Sequence, residues 1–369
     1  MDDPPNPKQR LLTLLNALQE ASNHLHTTTT PFSFLFKTDS RAAIDALLDL
    51  ETKAHAAFSS DPNLRTLSHT LSSLRTQIEN LHKFQGYSPR SLLTRHLTLH
   101  KISHLARTLH AQIQSYLDRL TLRDLVHALQ HPSPEEDQQQ IDALLDFRER
   151  LSRGFDLGFQ DLVLRAKVFT LLECVLFQSS YSERVKEEAA MAIAALVKFN
   201  KNVFVGLVLM GPTIRALIAM ASSCSLRVLA ELIRFIRSPL VDEILCGGEI
   251  PRILGFLRSR DLGVRVAALE CVMELGYIGR REVVEAMVQR GLVETLMELQ
   301  RGGCCESECN SAFESCVSRF AVEVEVGEGL SAEEKRDVKL EILRIVKEAS
   351  ESEAEAASVS AEILWGSSP

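Results

Sequence analysis

A segment of about 40 residues recurs in the second half of the chain and restricts the fold more than any other feature. Three segments end in Gly and carry apolar residues seven, four and three positions before it: residues 204–211, 241–248 and 284–291. Apolar residues at helical spacing follow each Gly, in residues 214–220, 250–257 and 293–299. The pattern predicts a short helix, a tight Gly turn and a second helix, repeated at a period near 40 residues.

A third helix, rich in Ala, is predicted before each short helix, in residues 187–196, 226–233 and 264–275. Similar segments at residues 164–172 and 309–317 extend the array in both directions. Ala allows helices to stack closely, and we count four complete or partial repeats. Each repeat can bury its apolar face only against its neighbours, which predicts an elongated helical array.

Three helices per unit, the last Ala-rich and the second preceded by Gly-x-x-Pro, resemble the armadillo repeat. Residues 248–257 and 264–269 are the best matches, and the resemblance covers about residues 156–350. With its helical N-terminal part, the chain resembles plant armadillo proteins related to U-box ubiquitin ligases, but it has no U-box signature between the two halves. The resemblance implies an all-α fold, namely an N-terminal helical bundle and a right-handed armadillo-like α-solenoid that binds proteins without ligase activity.

The first part of the chain has a different composition. All eleven His lie between His24 and His131, all eight Cys lie from Cys174 onwards, and the first 150 residues contain a single Gly. The Pro residues and the apolar spacing predict helices at about residues 7–26, 40–58, 62–84 and 89–130. The last helix is long enough to bend or break near Leu120. Four antiparallel helices would form a bundle.

These shifts predict four parts of the chain. A helical bundle occupies residues 1–130, and a polar linker with a connecting helix from Ile141 occupies residues 131–155. Armadillo-like repeats occupy residues 156–350. The acidic segment at residues 351–369 is interpreted as a solvated helix or a frayed tail.

In armadillo proteins the third helices line a concave groove, where a recurrent Asn holds the backbone of an extended peptide. The same pattern places Lys198 and Glu274 in that position here, with Glu173 and Arg234 as weaker matches. Together with Glu270, these charged residues are the candidate protein-binding groove. They predict that the partner is selected by its charge pattern. A structural role stays open, in which Lys198 pairs with a neighbouring acid and the glutamates form a solvated helical face.

Two clusters could bind a metal. His96, His100 and His104 share one helix face, but no carboxylate or thiolate lies near them to complete a site, and the row lies opposite an apolar stripe. We therefore predict a solvated face. The four Cys between Cys304 and Cys316 lack paired Cys-x-x-Cys spacing, and we interpret them as structural or incidental thiols, with a metal site or palmitoylation left open.

The sequence also argues against several functions. A net charge of −8 offers no chain-wide attraction for nucleic acid. The most apolar uncharged stretch, residues 202–214, is shorter than the roughly 18 residues of a transmembrane helix. No phosphate-binding loop, Gly-x-Ser-x-Gly elbow or His-Glu-x-x-His motif is present. We therefore expect no catalysis and no cofactor, and a protein or extended peptide as partner instead of nucleic acid or a small molecule.

The acidic start of the chain and the irregular Cys spacing predict reduced thiols and a cytoplasmic or nuclear location. Three functional hypotheses follow. The favoured one is a non-catalytic adaptor in ubiquitin-linked or stress signalling, in keeping with the resemblance. The second is an adaptor of the chaperone nucleotide-exchange type, and the third is a metal-dependent enzyme that uses the His row.

Overall fold

The computed structural model describes the backbone of residues 7–28, 64–83, 89–130, 137–302 and 312–365. These residues form 18 helices and no strand, which confirms the all-α class. The chain divides into two compact units between Thr121 and Leu122, inside a helix that runs on to Gln130. The division lies earlier than the predicted end of the bundle because Leu122, Leu125 and Leu129 pack in the core of the second unit.

The first unit contains α1 (Pro7–Thr28), α2 (Arg65–Lys83) and the N-terminal part of α3 (Pro89–Gln130), close to three of the predicted helices. Its core is built from apolar residues spaced three and four apart: Leu15, Leu18, Leu64, Leu67, Leu71, Leu74, Ile78, Ile102, Ala106, Leu109 and Ile113. Helix α3 is continuous at Leu120, where the sequence allowed a break. The predicted helix at residues 40–58 lies outside the described residues, so the four-helix bundle stays a prediction.

Fifteen described helices follow α3. They are α4 (Asp137–Ser152), α5 (Leu157–Arg165), α6 (Val168–Phe177), α7 (Glu183–Phe199), α8 (Lys201–Met210), α9 (Thr213–Met220), α10 (Ser223–Ile236), α11 (Ser238–Cys246), α12 (Ile250–Phe256), α13 (Leu262–Ile278), α14 (Arg281–Val288), α15 (Leu292–Gly302), α16 (Cys316–Val326), α17 (Ala332–Ala349) and α18 (Glu353–Trp365).

The helices of the second unit group into repeats of three. Helices α5, α6 and α7 form one repeat, α8 to α10 the next, α11 to α13 a third and α14 to α16 a fourth. The third helices of successive repeats pack side by side, α7 on α10, α10 on α13 and α13 on α16. They share one continuous apolar core. This arrangement confirms the armadillo-like α-solenoid.

The glycine turns between first and second helices occur where the recurrence predicts them. Gly248 and Gly291 have φ angles of 69° and 79°, in the left-handed region that Gly adopts readily. Gly211 has an extended backbone and is required for a different reason. A Cβ atom on Gly211 would lie 2.3 Å from Glu173 Oε1 and 2.7 Å from the carbonyl oxygen of Leu207.

The array is longer at both ends than the sequence pattern indicated. Helix α4 begins at Asp137 instead of Ile141, buries Gln140 and packs against α7. At the other end, α18 buries Val359 and Ile363 and packs against α16 and α17. The connecting helix and most of the acidic tail are therefore parts of the packed array, because their apolar faces complete the core of the adjacent repeats.

Two of the Ala-rich segments do not form the predicted helices. Residues 164–172 contain the end of α5 and the start of α6, a first and a second helix, and the third helix of that repeat is α7. The last third helix, α16, begins only at Cys316, near the end of the predicted segment at 309–317. Residues 303–311 lie outside the described part of the chain.

Candidate protein-binding groove

Helices α4, α7, α10, α13 and α16 form a row in which each helix packs on the next. One side of the row is buried in the core. The other carries exposed and half-buried side chains, mostly charged, and we call it the third-helix face: Leu145, Arg148, Glu149, Met191, Ala195, Lys198, Arg227, Glu231, Arg234, Phe235, Glu270, Glu274, Arg319 and Glu323. This face carries Lys198, Arg234, Glu270 and Glu274 of the candidate groove predicted from the sequence.

Lys198 lies at the C-terminal end of α7 and reaches across to α10. Its ammonium group forms an ion pair with Glu231 and lies 5.7 Å from the ring centroid of Phe235. The side chain of Lys198 is 43% exposed. Lys198 is therefore on the predicted face and is already paired with an acid, as the structural alternative proposed.

Arg234 and Glu274 connect α10 to α13. The guanidinium of Arg234 donates two hydrogen bonds to Glu274 Oε1, from Nε at 2.8 Å and from Nη2 at 2.5 Å. This hydrogen bonding raises the pKa of Arg234 above its ordinary value. Glu270, one turn before Glu274, is exposed and forms no ion pair with the described residues. Glu270 is thus a charge that the scaffold leaves available on this face.

The acidic character of the face increases toward α16. Burial and the neighbouring carboxylate of Glu274 both raise the pKa of Glu323, while Arg319 acts in the opposite direction. Glu274 therefore interacts with a cation on α10 and with a second carboxylate on α16. At this end, Glu270, Glu274 and Glu323 outnumber Arg234 and Arg319, so the end favours a positively charged group on a partner.

The opposite end of the face contains another set of charges. Arg148 Nη1 donates to Glu188 Oε2 at 2.5 Å and links α4 to α7. Cys224 at the start of α10 lies among the same charges. Burial raises the pKa of its thiol most, and Glu187 and Glu188 raise it further, whereas Arg148 and Arg227 lower it. This thiol is therefore a weak nucleophile at neutral pH.

Glu173 does not belong to the third-helix face. It lies on α6, a second helix, and its Oε1 accepts a hydrogen bond of 2.5 Å from the hydroxyl of Thr213 at the start of α9. Burial raises the pKa of Glu173, and the hydrogen bonds from Thr213 oppose this effect. The sequence pattern misplaced Glu173 because the segment before it was taken as a third helix. Its role is to join one second helix to the next.

Sequence reasoning missed the acidic partners of the basic residues, Glu188 and Glu231. Glu188 lies on α7 and Glu231 on α10, and both lie outside the position that the sequence pattern assigned to the groove. A signal for one of them was present, because Glu188 follows Arg148 by 40 residues, as Glu274 follows Arg234. Opposite charges at the repeat distance on neighbouring third helices indicate an ion pair between repeats.

The other candidate groups do not form a site in the described residues. His96, His100 and His104 are exposed, as predicted. Within the part of the chain that the structure describes, no three His, Cys, Asp or Glu side chains are grouped so that they could hold a metal ion. Cys316 is buried, donates to the carbonyl of Leu296 and has its pKa raised to about 12 by burial. Cys304, Cys305 and Cys309 lie outside the described residues.

Within the described part of the chain, no single helix is long and apolar enough to cross a membrane. Helices α8 and α9 reach that length and apolarity only together, with a bend of 71° between them.

Several solved structures are similar to this chain. An engineered protein is 14% identical, with 98% of this chain and 99% of that chain covered and a TM-score of 0.49. A designed armadillo repeat protein is 16% identical, with coverage of 67% and 100% and a TM-score of 0.45. Kap121p bound to Pho4p is 12% identical, with coverage of 97% and 34% and a TM-score of 0.46. No protein-family model and no curated protein matches the sequence.

Proposed function

We propose that this protein is a non-catalytic scaffold that binds an extended segment of a partner protein along the third-helix face. The observation that carries the proposal is the unbroken row of five packed helices with charged side chains from every helix on one side. A row of packed helices offers regularly spaced side chains to an extended chain, as other helical repeat arrays do.

The charges on this face support recognition by charge pattern. Lys198 and Arg234 pair with acids on the next helix, whereas Glu270 stays unpaired among the described residues. An exposed ion pair such as Lys198 with Glu231 contributes at most about 1 kcal/mol to stability, so a partner can replace it with its own charges at small cost. We expect the partner to place a basic residue near Glu270, Glu274 and Glu323.

Affinity purification of the full chain with identification of captured proteins by mass spectrometry tests the proposal. The informative variant combines Lys198→Glu and Glu274→Lys. The matched control combines Lys201→Glu and Glu282→Lys, which reverse exposed charges on first helices. Partners retained by wild type and control but lost by the first variant would support the scaffold. Equal capture by all three would contradict binding at this face.

We further propose that the adaptor acts in ubiquitin-linked or stress signalling, in the cytoplasm or the nucleus. The signalling role is supported by the resemblance to plant proteins related to U-box ligases. The non-catalytic role is supported by the absence of His after His131, because histidine is the commonest general base. Recovery of ubiquitin-ligase subunits among the captured proteins, and imaging of the tagged full chain in cells, test the two statements separately.

A further inference from the structure

A cleft of about 780 Å³ opens at one end of the third-helix face, between α4 and α7. Its apolar lining includes Leu145 from α4, Phe155 from the turn after α4, and Met191, Ala195 and Phe199 from α7. Leu145 is 43% exposed and Phe155 is 61% exposed. Apolar side chains exposed within a concave site are typical of places where a ligand completes the packing.

The aromatic wall of the cleft is held in position by the surrounding structure. Gly154, with a φ angle of 104°, turns the chain after α4, and Asp156 then accepts a hydrogen bond from the backbone N–H of Phe159 to cap α5. The ring of Phe155 between them lies 5.5 Å from the ring of Phe199, which contacts Phe159 edge-on at 6.0 Å. The cleft is therefore pre-organised, which lowers the entropic cost of binding.

The charged residues at the edge of the cleft are already neutralised. Arg148 pairs with Glu188, Glu149 pairs with Arg153, and Lys198 pairs with Glu231. A charged side chain entering the cleft would lose water and would meet cations and anions in equal number around the rim. An uncharged apolar side chain pays no such penalty and removes Phe155 and Leu145 from water.

We propose that this cleft receives one bulky apolar side chain, aromatic or large aliphatic, from the extended partner segment. The inference rests on the proposed scaffold function and adds an anchor residue to it. The acidic end of the face, near α13 and α16, would then bind a basic residue of the partner. The cleft between α4 and α7 would bind the apolar anchor residue. Neighbouring helices pack about 8–10 Å apart, so the three helix spacings between the two ends correspond to roughly seven to nine residues of extended chain.

The test uses a displayed library of random 12-residue peptides selected on the immobilised full chain, followed by fluorescence anisotropy with the best synthetic peptide. We expect a recurring Phe, Tyr, Trp, Leu or Met, whose replacement by Ala weakens binding about 30-fold. Because burial of an apolar side chain is insensitive to screening, this ratio should persist at about 0.5 M NaCl.

Variants of the protein locate the anchor. Phe155→Ser should weaken binding about tenfold, and Leu145→Ser should weaken it in the same direction, because each removes exposed apolar lining. The matched control is Leu157→Ser, which removes an apolar side chain that is 68% exposed but does not line the cleft. Circular dichroism and the urea midpoint verify folding, and Leu145→Ser serves as the test if Phe155→Ser does not fold.

The outcomes separate the anchor from the scaffold. If the double variant Lys198→Glu with Glu274→Lys loses peptide binding but both cleft variants keep it, the anchor proposal is wrong and the scaffold proposal is retained. A peptide consensus without a bulky apolar residue also overturns the anchor, and selection of no peptide at all counts against both proposals. A wild-type dimer that becomes a monomer on Phe155→Ser in sedimentation would overturn the anchor, because a second copy would then occupy the cleft.

Discussion

Two polar contacts between repeats join residues 40 positions apart and have opposite characters. The hydroxyl of Thr213, which is fully buried, donates to Glu173, and Gly211 beside it has no room for a Cβ atom. Arg234 pairs with Glu274 on the third-helix face, and the side chain of Arg234 is 61% exposed, whereas that of Glu274 is 17% exposed. The same period therefore creates one contact whose donor, Thr213, is buried between second helices and another whose donor, Arg234, a partner can reach.

Burial determines how much each contact contributes to the stability of the folded protein. Glu173 is half-buried, and loss of its hydrogen bond from the buried hydroxyl of Thr213 leaves a partly desolvated charge. An exposed ion pair is screened by solvent and contributes little. The comparison predicts that changes near Glu173 affect stability, whereas changes at Arg234 and Glu274 affect recognition.

The largest loss of stability is expected for Gly211→Ala. The new Cβ would collide with Glu173 Oε1 and the carbonyl of Leu207, and the relief of these contacts should cost about 2–3 kcal/mol in urea unfolding. The matched control is Gly206→Ala in α8, where no atom lies within 4 Å of the added Cβ. This control should gain about 0.5–1 kcal/mol, because Ala is the better helix former. Similar losses for both variants would refute the role of Gly211.

Thr213→Val should cost about 1–2 kcal/mol at neutral pH, because the ionised Glu173 loses a hydrogen bond inside the repeat junction. The pKa of Glu173 is raised in the folded protein, so the ionised form of Glu173 lowers the stability at neutral pH. As the pH falls through this pKa, Glu173 is protonated and the destabilisation disappears. The deficit of Thr213→Val should therefore shrink in acid. A deficit independent of pH in urea unfolding would contradict this assignment.

Charge reversal at Glu274 should cost about 1 kcal/mol of stability, because water screens Arg234, which is 61% exposed, whereas Glu274 is only 17% exposed. Glu274→Arg places two cations together, and the exchange Arg234→Glu with Glu274→Arg restores opposite charges. We expect the exchanged protein to regain the thermal midpoint of the wild type and still bind the selected peptide poorly. Full recovery of binding would show that the pair only supports the scaffold.

The smallest effect is expected for Glu323→Gln. The pKa of Glu323 is raised by burial and by Glu274, so its ionised form costs stability at neutral pH, and the uncharged amide should raise the urea midpoint slightly. Below the pKa of Glu323 the gain should vanish. Glu325→Gln, on the same helix, is the control and should lower the midpoint, because Glu325 binds Lys339 at 2.6 Å. A lower urea midpoint for both variants would contradict the proposed repulsion between Glu323 and Glu274.

The repeat could be predicted from the sequence because its signals are local. Apolar residues three and four apart specify a helix face, and Gly248 and Gly291 occur where the backbone adopts positive φ. These signals act within about ten residues, and they were sufficient for the three-helix unit. The position of Lys198, Arg234, Glu270 and Glu274 on third helices followed from the same register.

The ends of the array and the role of Glu173 were decided by the tertiary structure. Helices α4 and α18 have polar or acidic sequences, and only the neighbouring repeats show that Gln140, Val359 and Ile363 are buried. Glu173 has the composition of a groove residue, and only the packing of α6 on α9 places it against Thr213.

The helical class, the period near 40 residues and the charged positions on α7, α10 and α13 could be predicted from the sequence. The pairing of the charges, the helices that complete the row and the cleft formed by Phe155 and Leu145 became clear only from the folded chain. The two sets differ in the sequence separation of the residues involved. Helix formation and turns depend on neighbours along the chain, whereas burial and ion pairing depend on residues some 40 positions away that folding brings into contact.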